Sequence, residues 1–573
     1  MTRSTLLRRP AGLVAQAVAL VALCGGISAA YGQSPVAPRS ADDRDLFAPA
    51  RALEVKLDMP EASWDRLRAA GRSLPRVFAG CFEPDFAYPP ASAQISIDGE
   101  TVADVTVVKK GFLGSLSTVR PSLRVDFGDD AHDGRTFHGT RRLTLNNNHQ
   151  DPSNAKQCVA YELFAQAGLP APRCGTAHLT VNGVDKGFFT NVEPIGRPFL
   201  RRAFGNDQGN LYELTVADFT PALKGAFELK TNETRNDRSD LDRVERALAA
   251  PDDKFVEALG TVLDVDKFFT FWAMEVLAGH WDGMTGNRNN TFLYHNPADD
   301  KFHPIPWGTD GTFQPHPLLP NVPASVLAYN TLSARLYGMP ATRRLYQQRL
   351  RMLLDKVWNE DRIIARLRAI TAQTGGNAAV LAVTETYVRG RRAAIEAELA
   401  SQDGRGPEVT GDRPLDAACH ETERASGIID FTWNDATTAF RPVQDVAALQ
   451  VQIPLPGGTI QFAPGQAAQL ATINEQGQAQ FGLVGQDATR KAPVFVGIMM
   501  PVDNYKVGTV SFHGIETFGV VVQTAGAGGP RPLALIGGGT VTFTEVGRKN
   551  GDPVRGRWEG YVVPMPGQPP PKP

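Results

Sequence analysis

Asp282 and Asn287 stand five positions apart in the run His280-Trp281-Asp282-Gly283-Met284-Thr285-Gly286-Asn287-Arg288-Asn289-Asn290. Asp310 follows in Ile305-Pro306-Trp307-Gly308-Thr309-Asp310-Gly311. Acidic and amide side chains in this order suit phosphoryl transfer from ATP. One Asp orients the accepting hydroxyl, and an Asn with a second Asp holds Mg²⁺ against the phosphates. Asn289 and Asn290 compete with Asn287 for the metal-facing role. An Asp and an Asn at this spacing also arise by chance, so the reading depends on the elements that must bring the two segments together.

Apolar residues recur at three- and four-residue spacing over residues 240–248, 254–263 and 266–277, which predicts helices leading into the Asp282 loop. Residues 291–295 and 302–306 alternate like strands around the turn 296–300. Asp264 and Asp266 lack the glycine and terminal Glu of a calcium loop and read as a helix cap. A second helical block covers residues 341–372 and 379–401. Upstream, residues 53–57, 93–98, 101–109 and 122–127 alternate as strands, and a short helix follows Pro60. Residues 153–167 have helical periodicity, and Asn182-Gly183 joins residues 177–181 to 186–192 as a hairpin. The order is therefore strand-rich, then helical. Residues 402–414 read as a linker, and 415–573 as an all-β module of sandwich or barrel type.

Lys and Arg number 59 against 61 Asp and Glu, a net charge of −2, so no nucleic-acid partner is expected. Residues 1–32 combine Arg3, Arg8 and Arg9 with an apolar run too short for a comfortable membrane span, then Ala30-Tyr31-Gly32 as a cleavage site. That predicts an export signal, a flexible leader over 33–45, and a periplasmic, cell-surface or extracellular protein with no membrane span. Cys81, Cys158, Cys174 and Cys419 follow the signal, and export permits disulfides. Cys158 and Cys174, which flank a predicted helix, are the first pair expected. No Cys/His spacing suggests zinc.

Further motifs occur in order: Lys109-Lys110-Gly111-x-x-Gly114-Ser115, Arg120-Pro121-Ser122-Leu123-Arg124, Leu143-Thr144-Leu145-Asn146-Asn147-Asn148 with Asp151-Pro152-Ser153, Asn182-Gly183-x-x-x-Gly187, and Gly209-Asn210-Leu211-Tyr212-Glu213. With the Asp282 and Trp307 segments, they make residues 50–395 resemble the spore coat protein H (CotH) kinase family. The resemblance implies an α+β, atypical protein-kinase-like two-lobed fold, with a β-rich N-lobe and a helical C-lobe, followed here by the all-β module. It also implies use of ATP and Mg²⁺ and a protein substrate phosphorylated on Ser or Thr.

Asp282 matches the family's catalytic Asp, and Asn287 has the offset of its metal-binding Asn. Asp310 matches the second acid of a Pro-Trp-Asp-x-Asp pattern whose first acid is replaced here by Gly308. Arg120 aligns with a family Lys in the N-lobe, with Arg124 and Lys110 as alternative phosphate-binding cations. Glu162 is the candidate helix-borne partner of that cation. Residues 46–401 would form the kinase-like domain, and the β module would be separable from the chemistry. The competing expectation is a catalytically weak scaffold or adhesin, which Gly308 and the β module favour.

Overall fold

The computed structural model describes residues 45–47, 51–72, 86–111, 115–128, 134–221, 223–317, 322–400, 423–434, 440–474, 478–512, 516–524 and 530–564. The expected export signal, most of the leader, the linker, Cys81 and Cys419 lie outside the described residues.

The N-terminal strands alternate apolar and polar residues, and they close on themselves. β1 (Leu53–Asp58), β2 (Pro90–Ile97), β3 (Glu100–Lys110), β4 (Ser122–Asp126), β5 (Arg142–Asn146), β6 (Cys174–Val181) and β7 (Val184–Val192) form a barrel in the order β1-β2-β3-β4-β5-β7-β6. Val55, Leu57, Ile95, Val107, Val125 and Leu179 share its core. The seam is the parallel pair β1–β6, with Val55 opposite Leu179. That pair joins segments far apart in the chain, and local alternation alone does not announce it. Asn182 and Gly183 take the positive φ values, 50° and 76°, that a two-residue hairpin turn needs. Helix α1 (Glu61–Ala69) packs against β2 and β3.

Helix α2 (Lys156–Gln166) begins later than its periodicity suggested. The Asp151 carboxylate sets the start, accepting from Ser153 N at 3.1 Å and Lys156 N at 2.7 Å. A Cys158–Cys174 disulfide ties α2 to β6, as expected.

After α3 (Arg197–Phe204), a second sheet of β8 (Leu211–Leu214), β9 (Phe227–Leu229), β10 (Thr291–Asn296) and β11 (Lys301–Pro306) runs in the order β11-β10-β8-β9. Helices α4 (Ser239–Leu248), α5 (Asp252–Gly260) and α6 (Val265–Ala278) lie between its halves in sequence. Asp264 caps α6 by accepting from Lys267 N at 3.1 Å. Then come α7 (Thr331–Gly338), α8 (Pro340–Lys356), α9 (Glu360–Thr374) and α10 (Ala378–Ala400). The expected helix 341–372 is two helices, because Asn359 caps α9 through Arg362 N. Trp272 of α6 stacks on Tyr346 of α8 with ring centroids 3.9 Å apart, at the centre of this helical core. Among the described residues, no helix is long and apolar enough to cross a membrane.

The C-terminal module is one nine-stranded sheet. Its strands are β12 (Arg424–Thr432), β13 (Arg441–Pro442), β14 (Phe462–Ile473), β15 (Gln478–Asp487), β16 (Ala492–Pro501), β17 (Gly508–Phe512), β18 (Phe518–Gln523), β19 (Arg531–Val546) and β20 (Pro553–Pro564). It folds around its own core, where Ile429, Phe481, Val496, Phe543 and Trp558 meet. The module also touches the barrel: Glu516 accepts from Thr118 N and Oγ1 at 2.5 and 2.9 Å, and Asn504 Nδ2 donates to Thr118 Oγ1 at 2.7 Å.

Candidate active site

The β10–β11 hairpin brings the two acidic segments together. Thr291 pairs with Pro306, so Asn290 and Trp307 leave the hairpin side by side, and Trp307 N donates to Asn290 O at 3.1 Å. His280 is fully buried, and its Nε2 lies 3.1 Å from Trp307 O. Burial pushes this imidazole down to about 4, so it holds the segments together as a neutral hydrogen-bonding group.

Asp282 sits inside a collar of amides. Asn287 Nδ2 donates to its Oδ1 at 2.7 Å, Asn290 Nδ2 to its Oδ2 at 2.6 Å, and Asn289 Nδ2 reaches both oxygens at 3.4 Å. Burial pushes Asp282 up to about 6; the three amides pull it back, and the Asp310 charge adds to the rise. Asp282 is thus ionised at neutral pH yet close to the range where it can take a proton. With its nitrogen on Asp282, each amide keeps its oxygen as the atom that can ligate a cation.

Asp310 is also raised to about 6, first by burial, with Lys110 and Lys156 pulling it down and Asp151 pushing it up. Lys110, at the end of β3, donates to Asn146 Oδ1 at 2.5 Å, and its ammonium lies 5.7 Å from the Trp307 ring centroid. Burial lowers it to about 8 against the pull of Asp310 and Glu213. A hydrogen-bond chain fixes the assembly. Asn146 Nδ2 donates to Gln157 Oε1 at 2.6 Å, and Thr309 Oγ1 donates to Gln157 O at 3.2 Å.

The sequence-derived residues divide sharply. Asp282, Asn287, Asp310 and Lys110 converge. The Arg120 guanidinium is engaged away from the Asp282–Asp310 junction: its Nε donates to Lys186 O at 2.8 Å, a terminal nitrogen donates to Phe188 O, and it lies on the Phe189 ring. It clips the β3–β4 loop to β7. Arg124 stands near Lys110 but its Nε donates to Asp126 at 2.8 Å. Glu162 meets Arg366 of α9, with N–O distances from 2.9 to 3.3 Å. The carboxylates whose charge reaches Lys110 belong to Asp310 and Glu213, and Glu213 itself pairs with Lys230 at 2.8 Å.

Two residues escaped the sequence reading. Lys156 is fully buried in the first turn of α2, where its charge opposes the helix dipole. A cation in so unfavourable a position was the available signal. Glu275 is an acid within the buried face of α6. Its Oε1 accepts from Met284 N at 2.7 Å, and its Oε2 from Thr285 N and Oγ1 at 2.8 and 2.6 Å. It holds the loop that carries Asp282, and a side chain at Gly283 would collide with it.

Gly308 has φ of 50°, and a Cβ there would collide with the Asn290 amide. Asn290 thus fills the space beside residue 308 and turns its nitrogen onto Asp282.

The donor set suits a hard cation such as Mg²⁺, which takes one or two carboxylates together with phosphate oxygens. Asp282 and Asp310 repel each other, and oxygen-bearing amides surround the first. Among the described residues, no group of three or more His, Cys, Asp or Glu gathers as a protein-only cage.

Inner spore coat protein H of Bacillus subtilis (strain 168) is 22% identical to the chain over 281 residues, covering 47% of this chain and 75% of that protein. The inner spore coat protein H-like protein of the same organism is 26% identical over 240 residues, covering 40% of this chain and 66% of that protein. A model of the CotH kinase protein family matches residues 108–400, from the end of β3 to the end of α10, a span that contains every residue of the Asp282–Asp310 site. The chain belongs to the CotH kinase protein family.

Proposed function

We propose that the chain is an exported, kinase-like phosphotransferase that moves the γ-phosphoryl group of ATP to a Ser or Thr hydroxyl of a protein substrate. The observation that carries this is the convergence of Asp282, its amide collar, Asp310 and Lys110 at one junction between the barrel and the helical region. In this reading the barrel is the N-lobe and the helices with the β8–β11 sheet are the C-lobe of a two-lobed kinase-like fold. The export-type run at residues 1–32 supports an extracytoplasmic site of action.

Each residue has a role set by its surroundings. Asp282 accepts the proton of the attacking hydroxyl, or orients it, and the amides keep its carboxylate in one position. Lys110 and Lys156 face the negative charge of the phosphates, a task now borne by their attraction to Asp310. Asp310 and the oxygen of Asn287 would hold Mg²⁺, with Asn289 and Asn290 beside it. When bound, Mg²⁺ neutralises and orients the phosphates.

A scaffold or adhesin is the second reading, favoured by the amide of Asn290 standing beside Gly308 where the family pattern has its first acid. Mg²⁺-dependent thermal stabilisation by ATP separates the two, since a ligand at 100 times its dissociation constant adds about 2.7 kcal/mol. Stabilisation together with transfer from labelled ATP supports the kinase; neither effect supports the scaffold.

A further inference from the structure

We propose that the C-terminal module, which lies beyond the family match, is a clamp on the β3–β4 loop that sets how firmly the site grips its nucleotide. The nucleotide part rests on the kinase reading; the clamp itself does not.

The contact is small and largely buried. Thr118 donates its N–H and hydroxyl to the same Glu516 oxygen, and its hydroxyl accepts from Asn504 Nδ2. Thr118, Asn504 and Thr517 are 7%, 2% and 2% exposed and Glu516 is half-buried, so the Asn504–Thr118 bond is shielded from water and the Glu516 bonds are partly shielded. The carbonyl of Thr118 accepts from Arg68 at 3.1 Å, which anchors the loop to the end of α1 as well.

From Thr118 the loop runs back to the site through packed groups. Ser117 Oγ accepts from Val119 N and Arg120 N. Asn147 Nδ2 donates to Ser115 O and Arg120 O at 3.0 and 2.8 Å, and Asn147 follows the Asn146 that receives Lys110. Gly111 has φ of 112°, and Ser115 Oγ fills the space its side chain would need, so Ser115 packs directly on the residue after Lys110.

The end of β3 is held from both faces. Successive strand residues point to opposite sides. Lys110 faces the site, whereas Lys109 is buried on the other face, donating to Arg68 O and Ala70 O at 2.7 and 2.6 Å. Glu516 is the carboxylate that acts on Lys109, and Asp503 of the module acts on Lys186 of β7. Two acids of the module thus act through their charge on two lysines of the barrel.

The test compares the full chain with Glu516→Ala, Glu516→Gln and Asn504→Ala, reading amide hydrogen exchange over residues 115–121 and the kinetics with Mg·ATP. Loss of the Glu516 bonds is expected to speed exchange at Thr118 about tenfold. The KM for ATP should rise about fivefold with kcat unchanged. Glu516→Gln keeps one acceptor oxygen and should recover most of the protection. Asn504→Ala should shift both readouts in the same direction, which guards against a folding defect peculiar to one variant. Unchanged exchange at Thr118 in Glu516→Ala overturns the clamp, and faster exchange with an unchanged KM overturns its link to the nucleotide. A wild-type chain that binds no ATP refutes the kinase reading instead, and protection at Thr118 then decides the clamp by itself.

Discussion

Glu275→Gln separates the stability of the catalytic loop from its geometry. The carboxylate is fully buried and receives three donors, Met284 N, Thr285 N and Thr285 Oγ1. No cation is among the groups that act on it, and burial raises it from 4.5 to about 7. That rise corresponds to about 3 kcal/mol. The folded state binds this proton more tightly than the unfolded chain does. The group's contribution is therefore full below pH 4.5 and is lost as the pH rises to about 7. Gln has the same shape and does not titrate, but it turns an NH₂ toward at least one loop donor, at a cost of about 1–2 kcal/mol. The variant should be less stable than the wild type at pH 5 by that amount, and equal to it or more stable at pH 8. Asp282, Asp310 and His280 titrate in both proteins, so the difference isolates Glu275. Phosphoryl transfer at pH 8 should still fall tenfold or more, because the loop bearing Asp282 loses its fixed acceptor. Urea denaturation at the two pH values, beside transfer from labelled ATP, reads both effects. A stability gap that is the same at pH 5 and pH 8 would refute the reasoning about the buried charge.

Asp282→Ala should abolish transfer and leave the melting temperature within a few degrees of wild type, since it removes a carboxylate that burial already disfavours; wild-type turnover would remove Asp282 from the chemistry. Asp310→Ala should eliminate the Mg²⁺-dependent part of ATP affinity in calorimetric titration while Mg²⁺-free binding persists, because Lys110 and Lys156 lose their counter-charge. Gly308→Asp should lower stability by about 1–2 kcal/mol from the left-handed backbone alone, and displace Asn290, rather than raise turnover; higher activity would mean that the pattern's first acid is accommodated. A chain ending at Ala400 should stay soluble and keep its turnover at saturating ATP, with a raised KM; loss of turnover at saturation would make the β module part of the catalytic domain.

Where the fold was legible, a local rule governed it. The Asn182-Gly183 turn, the Asp264 cap and the helices leading into the Asp282 loop follow from turn chemistry, capping and apolar spacing, and each lies within a few residues of its expected position. Barrel closure was not legible, because it depends on a parallel pairing of β1 with β6, which no turn joins. The contact between the module and the barrel was hidden for a related reason. A short polar loop such as 115–121 looks solvated in sequence, and the partners of Thr118 lie almost 400 positions away.

The site shows the same division between what spacing encodes and what packing decides. The nearness of the Asp282 and Asp310 segments was legible in their order around a predicted hairpin, and the β10–β11 pairing makes the two segments adjacent. The cations were legible only in part: Lys110 was one of three candidates, and a Lys or Arg near a site is defined by where its head group ends. Arg120 matches a family position, yet its guanidinium is spent on backbone carbonyls of the β6–β7 hairpin. Lys156 matched no motif in the sequence, and it is buried where its charge acts on Asp310. Gly308 extends the argument to a missing group. In sequence it reads as a lost carboxylate; in the structure, the adjoining space holds the Asn290 amide, which also holds Asp282. The change exchanges a negative charge for a neutral oxygen and a donor. It therefore lowers the repulsion around Asp282, and in the proposed kinase reading it leaves Asp310 the acid on which Mg²⁺ affinity would depend most.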